Sequence, residues 1–489
     1  MSLGRSAREI SLLGQSAQNV LSAGFQIAGR ALSGLLIPVF LMPGQYGTYV
    51  YFVWLATTLI QLSALGLPQA AQRYVAQAVD AGERAAVGRL LRASGAVLTP
   101  VWLILTFSWQ FARGRLWGDD SATLVLLCVG VVLGVYGAIQ IAILKGTRNF
   151  AVPAMVEAIG QGTKLVVLVG LWLSGAGISV THVLSAEVAC WACQAAMLWM
   201  RDPVETEAPA FGQTQFREIL GYAAAVGLIV IVDLVIWQRI EVVILEAFGF
   251  VKEAGFFYFA GQVSAFLALV PSVAVAALFP TFAALQREDP AQLERLYGMA
   301  ATGLWVVGVP SLAVGLFLAP EILVAFYGEP YREITAILPF VIVGRVCLSI
   351  GGVASVLLYA TGQQRTLLPV VVAGAALTIV GDLTLIPRFG LVGAGISVAT
   401  VQPLVAATTL LLARRIVTRA VPVRGSTVAA AVVALTCGVA LDRAGWPATA
   451  TGAAVTFYWV ACALDPSVQR LVGHLGKRMG VVATRLAGS

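Results

Sequence analysis

Long apolar stretches recur along almost the whole chain, and they constrain the fold more than any other feature of the sequence. A helix needs about 20 consecutive apolar residues to cross the hydrocarbon core of a bilayer, and about 14 stretches approach or exceed that length. Only 11% of the residues are charged, against about a quarter in soluble domains. A water-soluble globule is therefore excluded, and we predict an all-α polytopic membrane protein.

The apolar stretches define about 14 transmembrane spans, which we number in chain order. The last two are short and rich in alanine, so a count of 12 stays open beside 14. The predicted spans cover residues 16–41, 48–67, 93–111, 122–144, 155–173, 178–200, 219–245, 255–285, 297–318, 334–359, 366–386, 392–412, 427–441 and 447–464.

The distribution of lysine and arginine predicts the orientation of these spans. With the N-terminus inside, about 21 of the 31 basic residues fall in cytoplasmic segments and about 6 in outer ones. The positive-inside rule then places both termini of this multi-pass protein in the cytoplasm. The net charge of +7 is mostly this topology signal, and we expect no nucleic-acid partner.

An internal repeat divides the chain into two similar parts. Gly175-Ala-Gly-Ile-Ser-Val180 recurs letter for letter as Gly393-Ala-Gly-Ile-Ser-Val398. Upstream, Lys145-Gly-Thr-Arg148 corresponds to Thr361-Gly-Gln-Gln-Arg365 at nearly the same offset. A weaker third match sets Tyr46-Gly-Thr-Tyr49 against Ala254-Gly-Phe-Phe257. Each offset contains six spans, so the copies have the same orientation and predict a pseudo-two-fold axis along the membrane normal.

Two lobes of six spans are the layout of a transporter in which rocking lobes expose a site at the membrane midplane to alternate sides. We predict an N-terminal lobe over residues 1–200 with spans 1 to 6, and a cytoplasmic linker over 201–217. Spans 7 to 12 form a C-terminal lobe over residues 218–413, and residues 414–489 hold two further helices and a cytoplasmic tail.

Ionisable side chains inside the spans mark the candidate site. The six deepest would together cost about 15–20 kcal/mol if they faced lipid, so they line a cavity or pair with one another. The basic residues in the spans are Arg30, Lys164, Arg239 and Arg345, the deepest acids are Glu187 and Asp233, and Glu157, Glu241 and Asp382 lie nearer span ends.

Helical spacing assigns roles to several of these residues. Gln26 and Arg30 belong to a polar stripe along span 1, which a lipid-facing helix does not need. We expect these two and Arg345 to line a substrate cavity, with Arg239 and Lys164 as further cations. Guanidinium groups match phosphate oxygens, so an anionic substrate group is predicted.

The acids Asp233, Glu187, Glu157, Glu241 and Asp382 are predicted to couple H⁺ or Na⁺ movement, or to pair with the cations. For Lys164, pairing with Glu157 on the same face of span 5 and a cavity role stay open. Motifs of hydrolases, phosphate-binding loops and zinc proteases do not occur. Cys190 and Cys193 form a single C-x-x-C inside a span, which favours packing over metal binding. We therefore expect no catalytic residues, no metal and no resident cofactor.

Four segments resemble the bacterial polysaccharide flippases, the Wzx-type exporters of O-antigen and exopolysaccharide in the multidrug/oligosaccharidyl-lipid/polysaccharide (MOP) exporter superfamily. They are Leu41-Met-Pro-Gly-Gln-Tyr-Gly-Thr-Tyr49, Leu65-Gly-Leu-Pro-Gln-Ala-Ala-Gln-Arg-Tyr74, Leu144-Lys-Gly-Thr-Arg-Asn-Phe150 and Gly381-Asp-Leu-Thr-Leu-Ile-Pro-Arg-Phe-Gly-Leu-Val-Gly-Ala-Gly395. Each motif alone is degenerate. The order of the four motifs along nearly the whole chain is what makes the resemblance specific.

The resemblance implies a flippase that moves an undecaprenyl-diphosphate-linked oligosaccharide from the cytoplasmic to the periplasmic leaflet by alternating access. The sugar and diphosphate would pass between the lobes while the polyprenyl tail stays in lipid. Arg30 matches a basic residue in span 1 of the related lipid II flippases. The chain departs from many relatives at Arg239-Ile-Glu241, where they carry Asp, and this leaves the role of Glu241 open. Deep cations are fewer here than in lipid II flippases, which favours a different sugar carrier.

On this resemblance we expect a protein of the bacterial inner (plasma) membrane with a part in O-antigen, capsule or exopolysaccharide assembly. The partners would be the lipid-linked oligosaccharide, the bilayer, and a polysaccharide polymerase with its chain-length regulator. The alternative is a drug or metabolite:cation antiporter of the same superfamily, which would have an acidic, cation-binding cavity.

Overall fold

A computed structural model describes residues 29, 32–77, 81–112, 121–147, 149, 151–175, 177–200, 213–232, 240–269, 271, 275, 278, 282, 285–286, 289–417, 425–444, 447–464 and 469. All regular secondary structure in these residues is helical, as the apolar pattern predicted. The chain divides into two compact units, Met1–Tyr258 and Phe259–Ser489. These two units are defined by packing and do not test the lobe boundaries that the internal repeat predicts. Those boundaries stay a prediction.

Helical residues 32–40 precede the first complete helix of the first unit. The helices that follow are α1 (Pro43–Ala64), α2 (Leu67–Gln77), α3 (Ala81–Ala112), α4 (Ser121–Gly146), α5 (Ala151–Leu173), α6 (Val180–Trp199), α7 (Gln213–Val232), α8 (Ile240–Ala247) and α9 (Val251–Leu267), which continues into the second unit.

The second unit contains α10 (Pro290–Ala313), a π-helical turn (Val314–Leu318), α11 (Ala319–Tyr327), a 3₁₀ helix (Glu329–Ala336), α12 (Leu338–Ala360), α13 (Gln364–Ala413), α14 (Gly425–Arg443) and α15 (Pro447–Leu464). Gly390 has a non-helical backbone and divides α13 into two helices, which correspond to spans 11 and 12. The two short alanine-rich spans are both helical, as α14 and α15.

The described helices are long and apolar enough for a multi-pass membrane protein. Six candidate spans of 23 residues or more occur among the described residues, and the bent pair of α1 and α2 makes a seventh. Many large apolar side chains on these helices are exposed, among them Val166, Leu173 and Phe326. Such a surface is stable in contact with lipid and not with water, which confirms the predicted class.

Helices α1 and α2 meet at a bend of 45° that is fixed by close packing. Leu65 has φ +36° and Gly66 has φ +73°. These left-handed backbone conformations interrupt the helix between Ala64 and Leu67. A Cβ on Gly66 would lie 2.1 Å from the carbonyl oxygen of Ala223 in α7, and one on Gly227 would lie 2.5 Å from the carbonyl carbon of Leu65. Since no side chain fits between these backbones, α7 holds the bend in place.

The repeat lies at matching places in the two parts of the chain. The described part of the first copy, Lys145-Gly-Thr147, lies at the end of α4, before α5, and the Thr361–Arg365 turn joins α12 to α13. The identical hexapeptides follow the next helices, yet they differ in local structure. Gly175 has φ +67° and Ser179 caps α6, whereas the second copy is already helical because the turn falls earlier, at Gly390.

Helices α14 and α15 form a hairpin that packs on α10 and the π-helical turn. The Tyr458 hydroxyl donates a hydrogen bond of 3.0 Å to the Trp305 carbonyl. Gly438 lies directly against the ring of Phe317 in the π-helical turn. Pro310 and Pro320 flank this turn, and each removes one donor from the backbone hydrogen-bond ladder.

We predict that Gly438→Ala detaches or strains this hairpin. Its Cβ would lie 2.5 Å from a ring carbon of Phe317, and overpacking of this kind costs about 1–3 kcal/mol. Thermal unfolding of the purified protein in detergent should show a lower midpoint. Gly452→Ala on α15 is the matched control, since a Cβ there meets nothing within 4 Å. Equal midpoints for the two variants would contradict the packing described here.

Candidate functional site

Four of the predicted site residues, Gln26, Arg30, Asp233 and Arg239, lie outside the described residues. The described ones fall into a cluster in the first unit and a cluster in the second. Lys164, Glu187, Glu157 and Glu241 belong to the first unit, and Arg345 and Asp382 belong to the second.

A buried ion pair is the centre of the first cluster. The Lys164 ammonium on α5 binds Oε1 of Glu187 on α6. The two residues are 5% and 8% exposed, so both charges are shielded from the surroundings of the helix bundle. This pair links two adjacent helices, and it gives Lys164 a partner that the face analysis of span 5 did not identify.

Tyr49 completes the cluster from a third helix. Its hydroxyl on α1 donates a hydrogen bond of 2.6 Å to the same Oε1 of Glu187. One carboxylate oxygen of Glu187 therefore accepts hydrogen bonds from an ammonium and from a phenol hydroxyl. A buried charge needs such hydrogen-bond partners, because it has lost those it had in water. Tyr49 is 3% exposed and stacks on Tyr46, with 6.0 Å between ring centroids.

Further polar side chains lie beside this pair on the same helices. Gly160 of α5 packs against the Gln194 amide of α6, and a Cβ on Gly29 would lie 2.8 Å from the Gln161 side chain. Glu157, two turns before Lys164, is 3% exposed. The small glycines let amide-bearing helices approach closely, as is common inside membranes.

Glu241 is the deepest acid on α8, at 1% exposure. It lies in the first described turn of that helix, next to the undescribed residues 233–239. Its burial agrees with the expectation that this acid does not face lipid.

The second cluster gathers around Asp382 in the first half of α13. Asp382 is fully buried, and Thr378 one turn earlier is buried too. Ser397, in the second half of α13, lies close to Gly381, the residue before Asp382. A Cβ on Gly381 would lie 2.9 Å from the Ser397 hydroxyl oxygen. A carboxylate and two hydroxyls are oxygen ligands of the kind that bind a hard cation or a proton.

Arg345 on α12 has a different environment from the buried acids. The preceding Gly344 packs against Gln402 of α13, which turns Arg345 toward a neighbouring face of the helix. Arg345, Ser349 and Gly352 share that face, as predicted, and all three are half-buried. A guanidinium that is partly accessible can meet a substrate in a cavity.

Several residues of these clusters were missed by sequence reasoning. Tyr49, Thr378, Ser397 and Gln402 are uncharged, so a search for charges in spans passes over them. For Thr378 the available signal was helical spacing, because it lies four residues before Asp382. Tyr49 needed the contact between α1 and α6, which no spacing within one helix reveals.

The helices have the fold of transporters of the MOP superfamily. The lipid II flippase MurJ in an inward closed conformation matches with a TM-score of 0.66 at 13% identity, over 91% of this chain and 98% of that one. An inward-facing multidrug resistance MATE family transporter of the MOP superfamily matches with a TM-score of 0.62 at 17% identity, over 82% and 94%. The outward-facing conformation of such a MATE transporter matches with a TM-score of 0.56 at 15% identity, over 82% and 94%.

Within this fold the sequence itself identifies the family. Residues 40–336 match the profile of a polysaccharide biosynthesis protein family, and the chain belongs to that family. The resemblance drawn from the sequence motifs is thereby confirmed. Among curated proteins, none matches the chain significantly.

We predict strong energetic coupling between Lys164 and Glu187. Lys164→Met or Glu187→Leu alone leaves an uncompensated buried charge and should destabilise the protein by about 3–5 kcal/mol. The double variant should lose clearly less unfolding free energy than the two single variants lose together, because neither charge is left buried without its partner. Thermal or steric-trap unfolding of the four proteins in bilayer-like detergent measures this cycle.

The exposed pair of Arg332 and Glu329 on the 3₁₀ helix is the matched control. Its side chains are 63% and 71% exposed, although the hydrogen bond of 2.6 Å is well formed. Hydrogen bonding from Arg332 lowers the pKa of the Glu329 carboxyl, yet solvent screens the pair. The corresponding cycle should show no measurable coupling, and equal coupling in both cycles would contradict the role of burial.

Proposed function

We propose that this protein is a flippase for a polyprenyl-diphosphate-linked oligosaccharide. It moves the sugar and diphosphate from the cytoplasmic to the outer leaflet of the bacterial inner membrane, for O-antigen, capsule or exopolysaccharide assembly. The observation that carries the proposal is membership of a polysaccharide biosynthesis family together with a fold that matches the lipid II flippase MurJ over 91% of the chain.

The physical problem in this reaction is the charged headgroup. A sugar diphosphate cannot cross hydrocarbon unshielded, whereas the polyprenyl tail can stay in lipid throughout. A polar cavity that opens to alternate sides solves the problem, and its cations bind the diphosphate. Both termini lie in the cytoplasm in this scheme, and a polymerase with its chain-length regulator takes up the product outside.

Arg345 is the described cation that suits the diphosphate best. It is half-buried, and a hydroxyl-bearing residue lies one turn away on its face. Arg30, Arg239 and Gln26 are retained as cavity residues from the sequence pattern. Lys164 is bound to Glu187 in this structure, so we assign it to the ion pair and not to the substrate.

Buried acids supply the coupling to an ion gradient in this proposal. Asp382 with Thr378 and Ser397 offers several oxygens in the second unit, and Glu187 is the corresponding acid in the first. Either site would exchange H⁺ or Na⁺ once per cycle, and Asp233, Glu157 and Glu241 remain further candidates. No cofactor is required in this scheme.

A drug or metabolite:cation antiporter is the second candidate function. The observation that favours it is the number of deeply buried acids among the described residues, Glu157, Glu187, Glu241 and Asp382. The fold also matches MATE transporters. Drug-susceptibility and efflux assays in cells that lack the protein separate the two candidates, since only the antiporter changes drug accumulation.

We predict that Arg345→Ala lowers transbilayer movement of a polyprenyl-diphosphate oligosaccharide by about tenfold or more, because a charge-assisted hydrogen bond is lost. Arg345→Lys should fall in between, since the charge stays and the planar fork is lost. Arg30→Ala should behave like Arg345→Ala. Reconstituted vesicles and cell-surface polysaccharide at equal protein level give the two readouts.

Arg332→Ala removes an exposed guanidinium on the 3₁₀ helix and serves as the control. It should leave transport unchanged. Unchanged transport in both the Arg345→Ala and the Arg30→Ala protein would sink the assignment of these cations to the diphosphate.

We predict that Asp382→Asn uncouples transport from the ion gradient. In vesicles with an imposed Na⁺ or pH gradient, the native protein should respond to one of the two, and the variant should retain only the slow movement seen without a gradient. Asp442→Asn, at the exposed end of α14, should respond like the native protein. A full gradient response in Asp382→Asn would exclude this acid from coupling.

A further inference from the structure

The first turns of α1 contact two other helices through different chemistry. Gly47 touches the backbone of α9, whereas the Tyr49 hydroxyl binds Glu187 of α6. All these residues belong to the first unit. In the predicted topology α1 and α9 both begin at the outer surface, so these contacts lie at the outer end of the helices.

At Gly47 and Gly255, backbone atoms make the closest contacts between α1 and α9. A Cβ on Gly47 would lie 2.1 Å from the carbonyl oxygen of Val251, and one on Gly255 would lie 2.8 Å from the Gly47 nitrogen. We call this the glycine contact. Gly47 and Gly255 occupy equivalent positions in the third match of the internal repeat. The two repeats therefore meet here at residues of the smallest size, with no room for a side chain.

Aromatic rings connect the glycine contact to the buried ion pair. Tyr46 is fully buried and lies edge-on to Tyr258 of α9, with 6.5 Å between ring centroids. On its other side Tyr46 stacks on Tyr49 at 6.0 Å. Tyr49 then donates its hydrogen bond to Glu187, which also holds Lys164. A displacement of α1 away from α9 would disturb every one of these contacts.

We propose that Tyr49 is a positioning residue that couples the Lys164–Glu187 pair to the glycine contact. While the Tyr49 hydroxyl donates to Glu187, α1 is held against α9 and the outer side of the transport path stays closed. When Glu187 gives up this hydrogen bond, α1 is released and the glycine contact opens. The inference rests on the proposed transport function and adds to it the element that senses Glu187.

The test measures the separation of the two outer helix ends in the full-length protein in liposomes. Spin labels are attached at Met42→Cys and Phe248→Cys, two exposed positions that precede α1 and α9, after replacement of the six native cysteines by alanine. Pulsed dipolar spectroscopy then gives the distribution of distances. The parent protein should show a dominant short distance.

Tyr49→Phe should raise the population of the longer distance by about tenfold, which is the effect of one lost hydrogen bond to a charged group. Glu187→Gln combined with Lys164→Met weakens the same bond without leaving an unpaired buried charge, so adding this pair of changes to Tyr49→Phe should give little further change. Gly47→Ala should shift the distribution in the same direction by sterics alone. If that variant does not fold, Gly255→Ala replaces it, since its overlap is smaller.

Three control variants match these changes. Gly44→Ala and Gly261→Ala add a methyl group on α1 and α9 where nothing lies within 4 Å. Tyr297→Phe removes a buried hydroxyl that makes no hydrogen bond within the part of the chain that the structure describes. All three should keep the short distance.

A native distance distribution in Tyr49→Phe, together with a shifted one in the glycine variant, would overturn the coupling role of Tyr49. A native distribution in the glycine variant as well would overturn the glycine contact as the outer closure. The measurement uses no substrate, so its result is independent of whether lipid-linked sugars are the cargo. Failure of sugar transport in the reconstituted assay would in turn leave this result standing.

Discussion

The ion pair between Lys164 and Glu187 is the interaction on which the packing of the first unit depends. Two charges at this depth are tolerated only together and only with further donors, because each alone is far too costly in a bilayer. The requirement brings α5, α6 and α1 to one carboxylate oxygen. The chemistry of one buried acid thus fixes α1 against the consecutive helices α5 and α6, which lie far from it along the chain.

Close glycine contacts provide the complementary constraint. In lipid there is no hydrophobic force between helices, so association depends on van der Waals contact and on polar groups. Gly66 with Gly227, Gly47 with Gly255, and Gly438 with Phe317 are such contacts. Polar partners give the bundle its register, and the glycines give it the short distances at which those partners can meet.

The sequence predicted the helical class, the spans and the repeat, because apolar length and charge placement are direct consequences of the bilayer. It named Asp382, Glu187 and Arg345 as candidate site residues but did not predict the partner of Glu187. Glu187 binds Lys164 across two helices, and spacing within span 5 pointed to Glu157 instead. The two identical hexapeptides also show the limit: a glycine three residues upstream decides whether the same letters are turn or helix.

The hairpin of α14 and α15 packs on α10 and the π-helical turn through an alanine-rich, apolar surface. Loss of a comparable pair of helices would be ruinous in a water-soluble protein, since a bare core face would be exposed to water. In a membrane the uncovered face would meet hydrocarbon chains of the same polarity, and little beyond contact with Phe317 and the hydrogen bond to Trp305 would be lost. Such a hairpin can therefore be gained or lost in evolution while the remaining spans keep their fold.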